Sequence, residues 1–292
     1  MDQLDNIMKQ HRSTQLIPQS VLNRQSLLLQ STQSTQSSVP TIYSIILFTS
    51  MMILQVLLSR LPVITNNESL QRYELRRKLQ HLFTLSILLY CYLYYINTIT
   101  AIILMSSACV FMYALHKIRL VNPDVQRYLL KLFSGLIRPN ERYCIPGSFY
   151  CLLGLLINMT LYNTSTTAIA LVCIAYGDVA ASLCGKYSTR YIRYRKPSKT
   201  MEGSIAMFTV CVISTYFMYA FILRSGNVIH HNGLLLNDHE YVYKSSPAKL
   251  MTYSVISSLA ATITERHSQY VDDNLTIQLV TAAVLAILQC IS

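Results

Sequence analysis

The chain contains repeated apolar runs of about the length that a helix needs to cross a lipid bilayer, which is roughly 20 residues. Because lipid cannot satisfy backbone polar groups, such runs fold as helices. We therefore predict an all-α, polytopic transmembrane helix bundle with seven to eight spanning helices. The candidate runs, of which the second and the seventh are short, are 41–59, 79–96, 98–115, 145–161, 164–183, 203–223, 250–264 and 275–291.

Charged residues are scarce in this chain. They make up 13% of its 292 residues, against about 25% in soluble proteins. The formal net charge of +11 is also typical of nucleic-acid-binding proteins. Because Lys and Arg lie between the apolar runs, where they orient helices and meet lipid headgroups, we expect membrane lipids and no nucleic acid as partners. The eight cysteines form no C-x-x-C pair, which argues against a zinc site or a disulfide framework.

The chain divides into three parts. Residues 1–40 are polar and rich in Gln, Ser and Thr, so we predict a disordered tail. Residues 41–71 hold the first hydrophobic helix and a linker, and residues 72–292 form the main transmembrane domain. Segment 122–137 has apolar residues at helical spacing, and two interpretations fit it equally: an interfacial amphipathic helix, or a helix packed against the bundle.

Basic residues are concentrated in three connections, 60–78, 117–142 and 186–199. By the positive-inside rule these connections are cytosolic. An eight-helix count then places the N-terminal tail outside the cytosol. That orientation depends on the first run, 41–59, spanning the membrane.

Asp178 lies inside an apolar run. Charged groups in spanning segments are costly, so each one is a functional candidate. On a helix Asp178 shares a narrow face with Ala181, Ser182 and Gly185, and this face lets a backbone or a phosphate approach the carboxylate. The alternative is a small-residue helix contact with a structural, paired Asp.

A second polar cluster starts the run that follows the last basic connection. Lys199, Glu202 and Gly203 fall in or beside the first turn of a helix. A helix N-terminus offers free N–H groups that suit a phosphate, and Lys199 adds a full positive charge there. The alternative is an ordinary basic loop that only sets topology.

Acidic residues form a third cluster near the C-terminus. Asp272, Asp273 and Asn274 precede the last apolar run, with Glu265 just upstream. Such hard oxygen ligands suit Mg²⁺ that also holds substrate phosphates. The alternative is a helix N-cap, for which Asp and Asn are favoured.

The fourth cluster begins the second run, where Arg77 and His81 are four residues apart and share a helix face. The alternative is a snorkelling basic anchor.

All four clusters map to cytosolic helix ends. Acids for a metal, bases for phosphates and adjacent lipid fit phosphoryl transfer to a lipid hydroxyl, which depends chiefly on positioning and charge neutralisation. The P-loop and protein-kinase glycine motifs are absent from the sequence, so a soluble-type ATP fold is not supported.

At these clusters the sequence resembles the polytopic CTP-dependent lipid kinases, which comprise diacylglycerol kinase of the endoplasmic reticulum, dolichol kinase and phytol kinase. The resemblance covers roughly residue 73 to the C-terminus, with Glu265 at the family's upstream acid. Four motifs in the right order and spacing carry it: R-K-L-Q-H at 77–81, G-D-V-A-A-S-L-C-G-K at 177–186, K-T-M-E-G-S at 199–204 and D-D-N-L-T at 272–276.

Within that family the chain looks like the diacylglycerol kinase branch, because of Asp272-Asp273 and of I-R-L at 118–120. Its short length argues against dolichol kinase. Two positions depart from the branch. His116 stands where Asp is common, so a carboxylate is missing there. Gln278 stands where Pro normally follows the acidic motif, and we expect this to alter only helix geometry.

The resemblance implies transfer of the γ-phosphate of CTP to diacylglycerol, with Mg²⁺ or Ca²⁺ as cofactor. Glu202 would position Lys199, and Glu265 and Asn274 would support the site. The implied catalytic residues are Asp178, Lys199, Glu202, Asp272 and Asp273. The implied metal ligands are Asp178, Asp272 and Asp273. The implied nucleotide- and phosphate-binding residues are Arg77, Lys78, His81, Gly185, Lys186, Gly203 and Arg119.

Other functions stay open at this point. The acceptor is diacylglycerol or another lipid alcohol, so the same scaffold fits a dolichol, polyprenol or phytol kinase. A non-enzymatic transporter or scaffold is the third hypothesis, although we find no repeat of the kind that transporters show. The expected location is the endoplasmic reticulum membrane or the nuclear membrane, as a multi-pass protein.

Overall fold

The helical prediction is confirmed by the computed structural model, in which helices make up nearly all of the described residues. The predicted tail, 1–40, lies outside these residues, as does nearly all of 41–71. Lys186 is described in its backbone alone. Apart from a few isolated positions, the described residues are 69–132, 143–187, 199–223, 245–268 and 271–291.

The described residues form eight helices. The fifth is one continuous helix whose middle is a π-helical turn, and the sixth ends in another. In chain order the helices are α1 Ser69–Tyr94, α2 Thr98–Val121, α3 Pro123–Leu132, α4 Gly147–Leu161, α5 Thr164–Val172 with Cys173–Gly177 and Asp178–Tyr187, α6 Met201–Phe217 with Met218–Leu223, α7 Pro247–His267 and α8 Asp273–Ile291.

Polar side chains start several of these helices. An N-cap oxygen satisfies one of the backbone N–H groups that a first turn leaves without a partner, and contributes about 1 kcal/mol. The Asn97 side chain accepts from Thr100 N at 2.8 Å, and the Asn163 side chain accepts from Thr166 N at 2.9 Å. These caps explain why α2 and α5 begin so soon after the helix that precedes each of them.

Four described helices are long and apolar enough to cross a membrane: α2, α5, α6 and α8. Helix α4 is apolar but shorter. Helices α1 and α7 contain 26 and 21 residues and match the second and seventh predicted runs, but polar and charged residues lower their apolarity. A membrane protein is therefore confirmed, whereas the total of seven to eight spans stays a prediction.

Helix α5 occupies the centre of the bundle. Every residue of its first segment, Thr164–Val172, is buried, and it packs against α1, α4, α6, α7 and α8. Large apolar side chains such as Ile99, Ile103 and Phe111 on α2 are exposed instead. An exposed apolar surface of this kind is suited to lipid.

Helix α3 lies at the edge of the bundle. None of its ten residues is fully buried, and Tyr128 and Arg127 are exposed. Partial burial of this kind fits both a helix packed against the bundle and an interfacial helix, so both interpretations of Pro123–Leu132 stay predictions. Residues 133–137 of the predicted amphipathic segment lie outside the described part of the chain.

Candidate active site

Asp178 is paired with a lysine that is 100 residues away in the chain. Its carboxylate Oδ2 forms a salt bridge and a hydrogen bond with Lys78 Nζ from α1. Both residues are buried, with 8% and 9% of their surface exposed. Two charges leave water only at high cost, so the carboxylate and the ammonium each need the other.

A π-helical turn, Cys173–Gly177, directly precedes Asp178. Such turns are rare in proteins, and those that occur are often found at functional sites. Tyr176 in the turn shares a hydrogen bond of 3.2 Å with Ser86 on α1. Gly177 has no room for a side chain, because an added Cβ would lie 2.5 Å from Cys211 Sγ. The turn therefore fixes Asp178 against both α1 and α6.

His81 brings the α1 cluster to the acidic residues of α5 and α8. It interacts electrostatically with Asp178 and with Asp273, as well as with Lys78 and Arg77. Its Nε2 atom is buried, and it has no hydrogen-bond partner among the described residues. Three of the four clusters thus meet at one end of the bundle, on α1, α5 and α8.

The Lys199 cluster, at the start of α6, is joined to α7. Lys199 Nζ lies 2.8 Å from Glu265 Oε1, and it also donates to the backbone carbonyl of Glu265. Both side chains are largely buried, at 17% and 12% exposure. The expected partner of Lys199 was Glu202, but the ion pair in the structure is with Glu265. Glu202 lies in the first turn of α6, and its role stays a prediction.

Asp272 and Asn274 form the turn that begins α8. Asp272 Oδ1 accepts from Asn274 N at 3.0 Å and from Asn274 Nδ2 at 2.8 Å. Its backbone carbonyl accepts from Leu275 N and Thr276 N, both at 3.2 Å. Asp272 therefore does serve as a helix cap. Asp273 starts the helix itself, so the two adjacent carboxylates have different surroundings.

The two motif glycines lie where α5 and α6 cross. A Cβ on Gly203 would lie 2.7 Å from the Ala181 carbonyl oxygen, and one on Gly185 would lie 2.9 Å from Thr200 Oγ1. The Gly203 N–H donates to Thr200 Oγ1, the N-cap of α6, at 3.1 Å. Close helix packing is thus a sufficient reason for both glycines, and phosphate binding by them stays a prediction.

Arg119 is buried in α2, with 4% of its surface exposed. Its guanidinium donates to His116 Nδ1 from Nε at 3.2 Å and from Nη2 at 3.0 Å. It also donates to the Cys144 carbonyl at 2.6 Å. These hydrogen bonds give Arg119 a structural role within the protein. They do not test the expected contact with phosphate, which stays a prediction.

Gln278 does more than alter helix geometry. Its Nε2 donates to the Asn274 carbonyl at 2.9 Å and to the Cys151 carbonyl at 3.0 Å. The Asn158 side chain in turn donates to the Gln278 carbonyl at 3.3 Å. A proline at this position could not make the side-chain bonds. Gln278 therefore fastens α8 to α4 directly behind the acidic turn.

Several polar residues of the bundle interior escaped the sequence reasoning. Asn163 and Thr166 both donate to Gln289 Oε1, at 3.3 and 3.2 Å. The other clusters contain charged residues, which stand out in an apolar run, whereas Asn163, Thr166 and Gln289 are neutral. Amides inside apolar runs were the available signal, because buried amides need hydrogen-bond partners.

A family model described as the cytidylyltransferase family matches residues 32–291. The chain belongs to that family. The match begins well before residue 73, where the four motifs start to show resemblance. It therefore includes the first apolar run, although this run lies mostly outside the described residues.

Two curated relatives of this cytidylyltransferase-family chain are both named CTP-dependent diacylglycerol kinase 1. The protein from Saccharomyces cerevisiae is 24% identical over 212 residues, which are 72% of this chain and 72% of that protein. The protein from Eremothecium gossypii is 25% identical over 166 residues, 56% of this chain and 51% of that protein. No solved structure matches the chain. The predicted relation to the CTP-dependent lipid kinases is confirmed by these matches.

The donor atoms of the site determine what metal it could take. No group of three His, Cys, Asp or Glu side chains converges on one point within the described ranges. Mg²⁺ is commonly held by one or two carboxylates together with substrate phosphates and water, so a complete protein cage is not needed. Asp272 and Asp273 are hard oxygen donors of the required type. They fit a metal whose other ligands are phosphates and water.

Proposed function

We propose that the chain is a CTP-dependent diacylglycerol kinase that acts at the cytosolic face of the membrane. The lipid hydroxyl oxygen bonds to the γ-phosphorus of CTP, the bond from that phosphorus to the bridging oxygen breaks, and the hydroxyl proton is released. The products are phosphatidate and CDP. The observation that carries the proposal is the presence of two buried lysine–carboxylate pairs, Lys78–Asp178 and Lys199–Glu265, in a chain whose relatives bear that name.

Buried ion pairs of this kind suit a phosphate site better than they suit stability. An apolar pair of similar volume is often as stable, so such a pair is weak support for a purely structural role. A triphosphate offers each lysine a new anionic partner. We assign Lys78 and Lys199 to the phosphates, with Arg77 and Lys186 as further phosphate-binding residues.

Three carboxylates have a use in the same reaction. Asp272 and Asp273, joined by Asp178 once Lys78 has bound a phosphate instead, would hold Mg²⁺, or Ca²⁺, together with phosphate oxygens. The bound metal would neutralise charge on the phosphoryl group as it is transferred. Asn274 keeps the Asp272 carboxylate in a defined orientation through the two hydrogen bonds described above.

His81 offers a buried hydrogen-bonding atom to a substrate. Its buried Nε2 has no partner among the described residues, and leaving a buried polar atom without a partner costs about 1–3 kcal/mol. Substrate would remove that cost. Both a phosphate oxygen, as the resemblance implies, and the lipid hydroxyl are groups that this nitrogen can bond.

The location of the reaction is proposed from the substrate, which requires a membrane, and from the family resemblance, which implies which membrane it is. Diacylglycerol is membrane-bound, so the acceptor reaches the site sideways from the lipid, and CTP reaches it from the cytosol. We assign the chain to the endoplasmic reticulum membrane, or to the nuclear membrane that is continuous with it.

The test compares two positions of the label in CTP. Membranes that contain the chain are incubated with Mg²⁺, diacylglycerol and CTP labelled at either the γ- or the α-phosphate. We expect the γ-label, and not the α-label, in phosphatidate. Asp178→Asn should abolish labelling, whereas Asp124→Asn on exposed α3 is the matched control. Equal activity of Asp178→Asn and wild type would refute the assignment of the site.

A second candidate is transfer of the cytidylyl group, because the matching family is described as cytidylyltransferases. Phosphatidate in place of diacylglycerol would then be the acceptor, and the α-label would enter the lipid. Polyprenol and phytol in parallel incubations test the other kinase hypotheses. If none of the clusters affects labelling of any lipid, a transporter or scaffold is favoured.

A further inference from the structure

We propose that Arg119 is a positioning residue that holds the acidic turn of α8 in place through the start of α4. This inference rests on the proposed function, because the acidic turn is assigned there to Mg²⁺ and phosphate. The relay has three steps: from α2 to the connection before α4, along that connection, and from α4 to Asp272. Each step is a described hydrogen bond or a short covalent stretch.

The first step fixes the guanidinium. His116 lies one helical turn before Arg119 on α2, and its Nδ1 receives the two Arg119 hydrogen bonds of 3.2 and 3.0 Å. Arginine can only donate, so Nδ1 must be the acceptor and carries no proton. His116 is itself buried, at 6% exposure. A neutral imidazole therefore orients a buried cation.

The second step leads out of α2. The Nη2 of Arg119 donates to the Cys144 carbonyl at 2.6 Å, and a hydrogen bond from a charged donor is roughly twice as strong as a neutral one. The connection 143–146 is not helical. Its last residue, Pro146, is the N-cap of α4 but makes no capping hydrogen bond with its side chain. The arginine thus supplies, from another helix, a restraint that the cap does not provide.

The third step reaches the acidic turn. Gly147 is the first residue of α4, and its carbonyl accepts from Asn274 Nδ2 at 3.4 Å. The same Asn274 nitrogen donates to Asp272 Oδ1 at 2.8 Å. One amide therefore joins the start of α4 to the carboxylate. Because Cys144 and Gly147 are only three residues apart, a shift of the connection would also move the carbonyl that accepts from Asn274.

The His116 position provides the cleanest perturbation. His116→Leu removes the acceptor of Arg119 and keeps an apolar volume, and His116→Asp restores an acceptor, here a charged one. Arg119→Lys keeps the charge but loses the two-pronged geometry. Asn274→Ala cuts the last step. Lys117→Ala changes an exposed basic residue in the same turn of α2 and is the matched control.

The experiment uses the purified full chain in detergent. One readout is the Mg²⁺ concentration that gives half of the maximal rise in Tm in the presence of CTP, and the other is phosphatidate formation. Loss of a residue that orients a metal ligand typically weakens metal binding about 10–100-fold. We expect a rise of about tenfold in the half-saturating Mg²⁺ concentration for His116→Leu, Arg119→Lys and Asn274→Ala. His116→Asp and Lys117→Ala should resemble wild type.

Coupling distinguishes a relay from separate structural effects. The double variant His116→Leu/Asn274→Ala should be no worse than the more severe single variant, because both interrupt one path. Additive losses would overturn the proposal. So would a higher KM for CTP in Arg119→Lys with no Mg²⁺ effect in Asn274→Ala, since Arg119 would then bind phosphate directly. If wild type makes no phosphatidate, the proposed function fails, and the Tm readout still decides the relay.

Discussion

Removing one member of the Lys78–Asp178 pair should be far more harmful than removing both. The two side chains are only 11% and 12% exposed, so the values for surface pairs do not apply. Leaving one buried charge without its partner costs about 3–5 kcal/mol, whereas replacing both by apolar groups is often neutral. We therefore expect Lys78→Met to destabilise the fold strongly, and Lys78→Met/Asp178→Leu to recover most of that loss.

The chain offers its own probe of unfolding. It contains no tryptophan, but five of its cysteines are buried. A maleimide that fluoresces on reaction therefore reports thermal unfolding in detergent as those thiols become exposed. A loss of 3–5 kcal/mol corresponds to a fall in Tm on the order of 10 °C for a chain of this size. Arg127→Ala, which breaks the exposed pair with Asp124, is the control.

Activity separates structure from chemistry in the same variants. The double apolar variant should regain its Tm and still form no phosphatidate, because both the phosphate-binding cation and the metal-binding carboxylate are gone. An unchanged Tm for Lys78→Met would show that the pair is not buried as described. Normal phosphatidate formation by the stable double variant would refute the catalytic assignment of both residues.

Three further substitutions test other contacts. Gly203→Ala should lower both Tm and activity, because its Cβ would lie 2.7 Å from the Ala181 carbonyl oxygen and overpacking costs about 1–3 kcal/mol; unchanged values would contradict the close crossing. Gln278→Leu should lower Tm through the loss of two hydrogen bonds, and an equal or higher Tm would count against them. Glu265→Gln should raise the KM for CTP by disturbing Lys199; an unaltered KM in the presence of a changed Tm would make Glu265 purely structural.

Much of the helical architecture follows from local sequence patterns. Apolar runs of bilayer length predict helices whatever their neighbours are, and α2, α5, α6 and α8 begin within two residues of their predicted runs. The meeting of clusters from α1, α5 and α8 was also predictable, because basic connections place the corresponding helix ends on one side of the membrane.

The partners within the site were not predictable from the same patterns. Lys199 has an acid three residues away, and helical spacing favours that neighbour, yet its ion pair is with Glu265 in α7. The choice depends on how α6 and α7 pack, which no local pattern records. The sequence likewise predicted that Arg119 binds phosphate. Its hydrogen bond to the Cys144 carbonyl depends on how α2 packs against the connection before α4, which the sequence does not show.

The π-helical turn before Asp178 separates two tasks along a single helix. An α-helix advances by about 100° per residue, and a π turn accommodates one residue more than the regular spiral would. A chain that lacked one residue of Cys173–Gly177 could still bury Thr164–Val172 in the core. Everything after the turn would be rotated by about 100°, which would swing the carboxylate away from α1. The extra residue therefore determines the direction in which the Asp178 carboxylate points, and the buried segment before it does not.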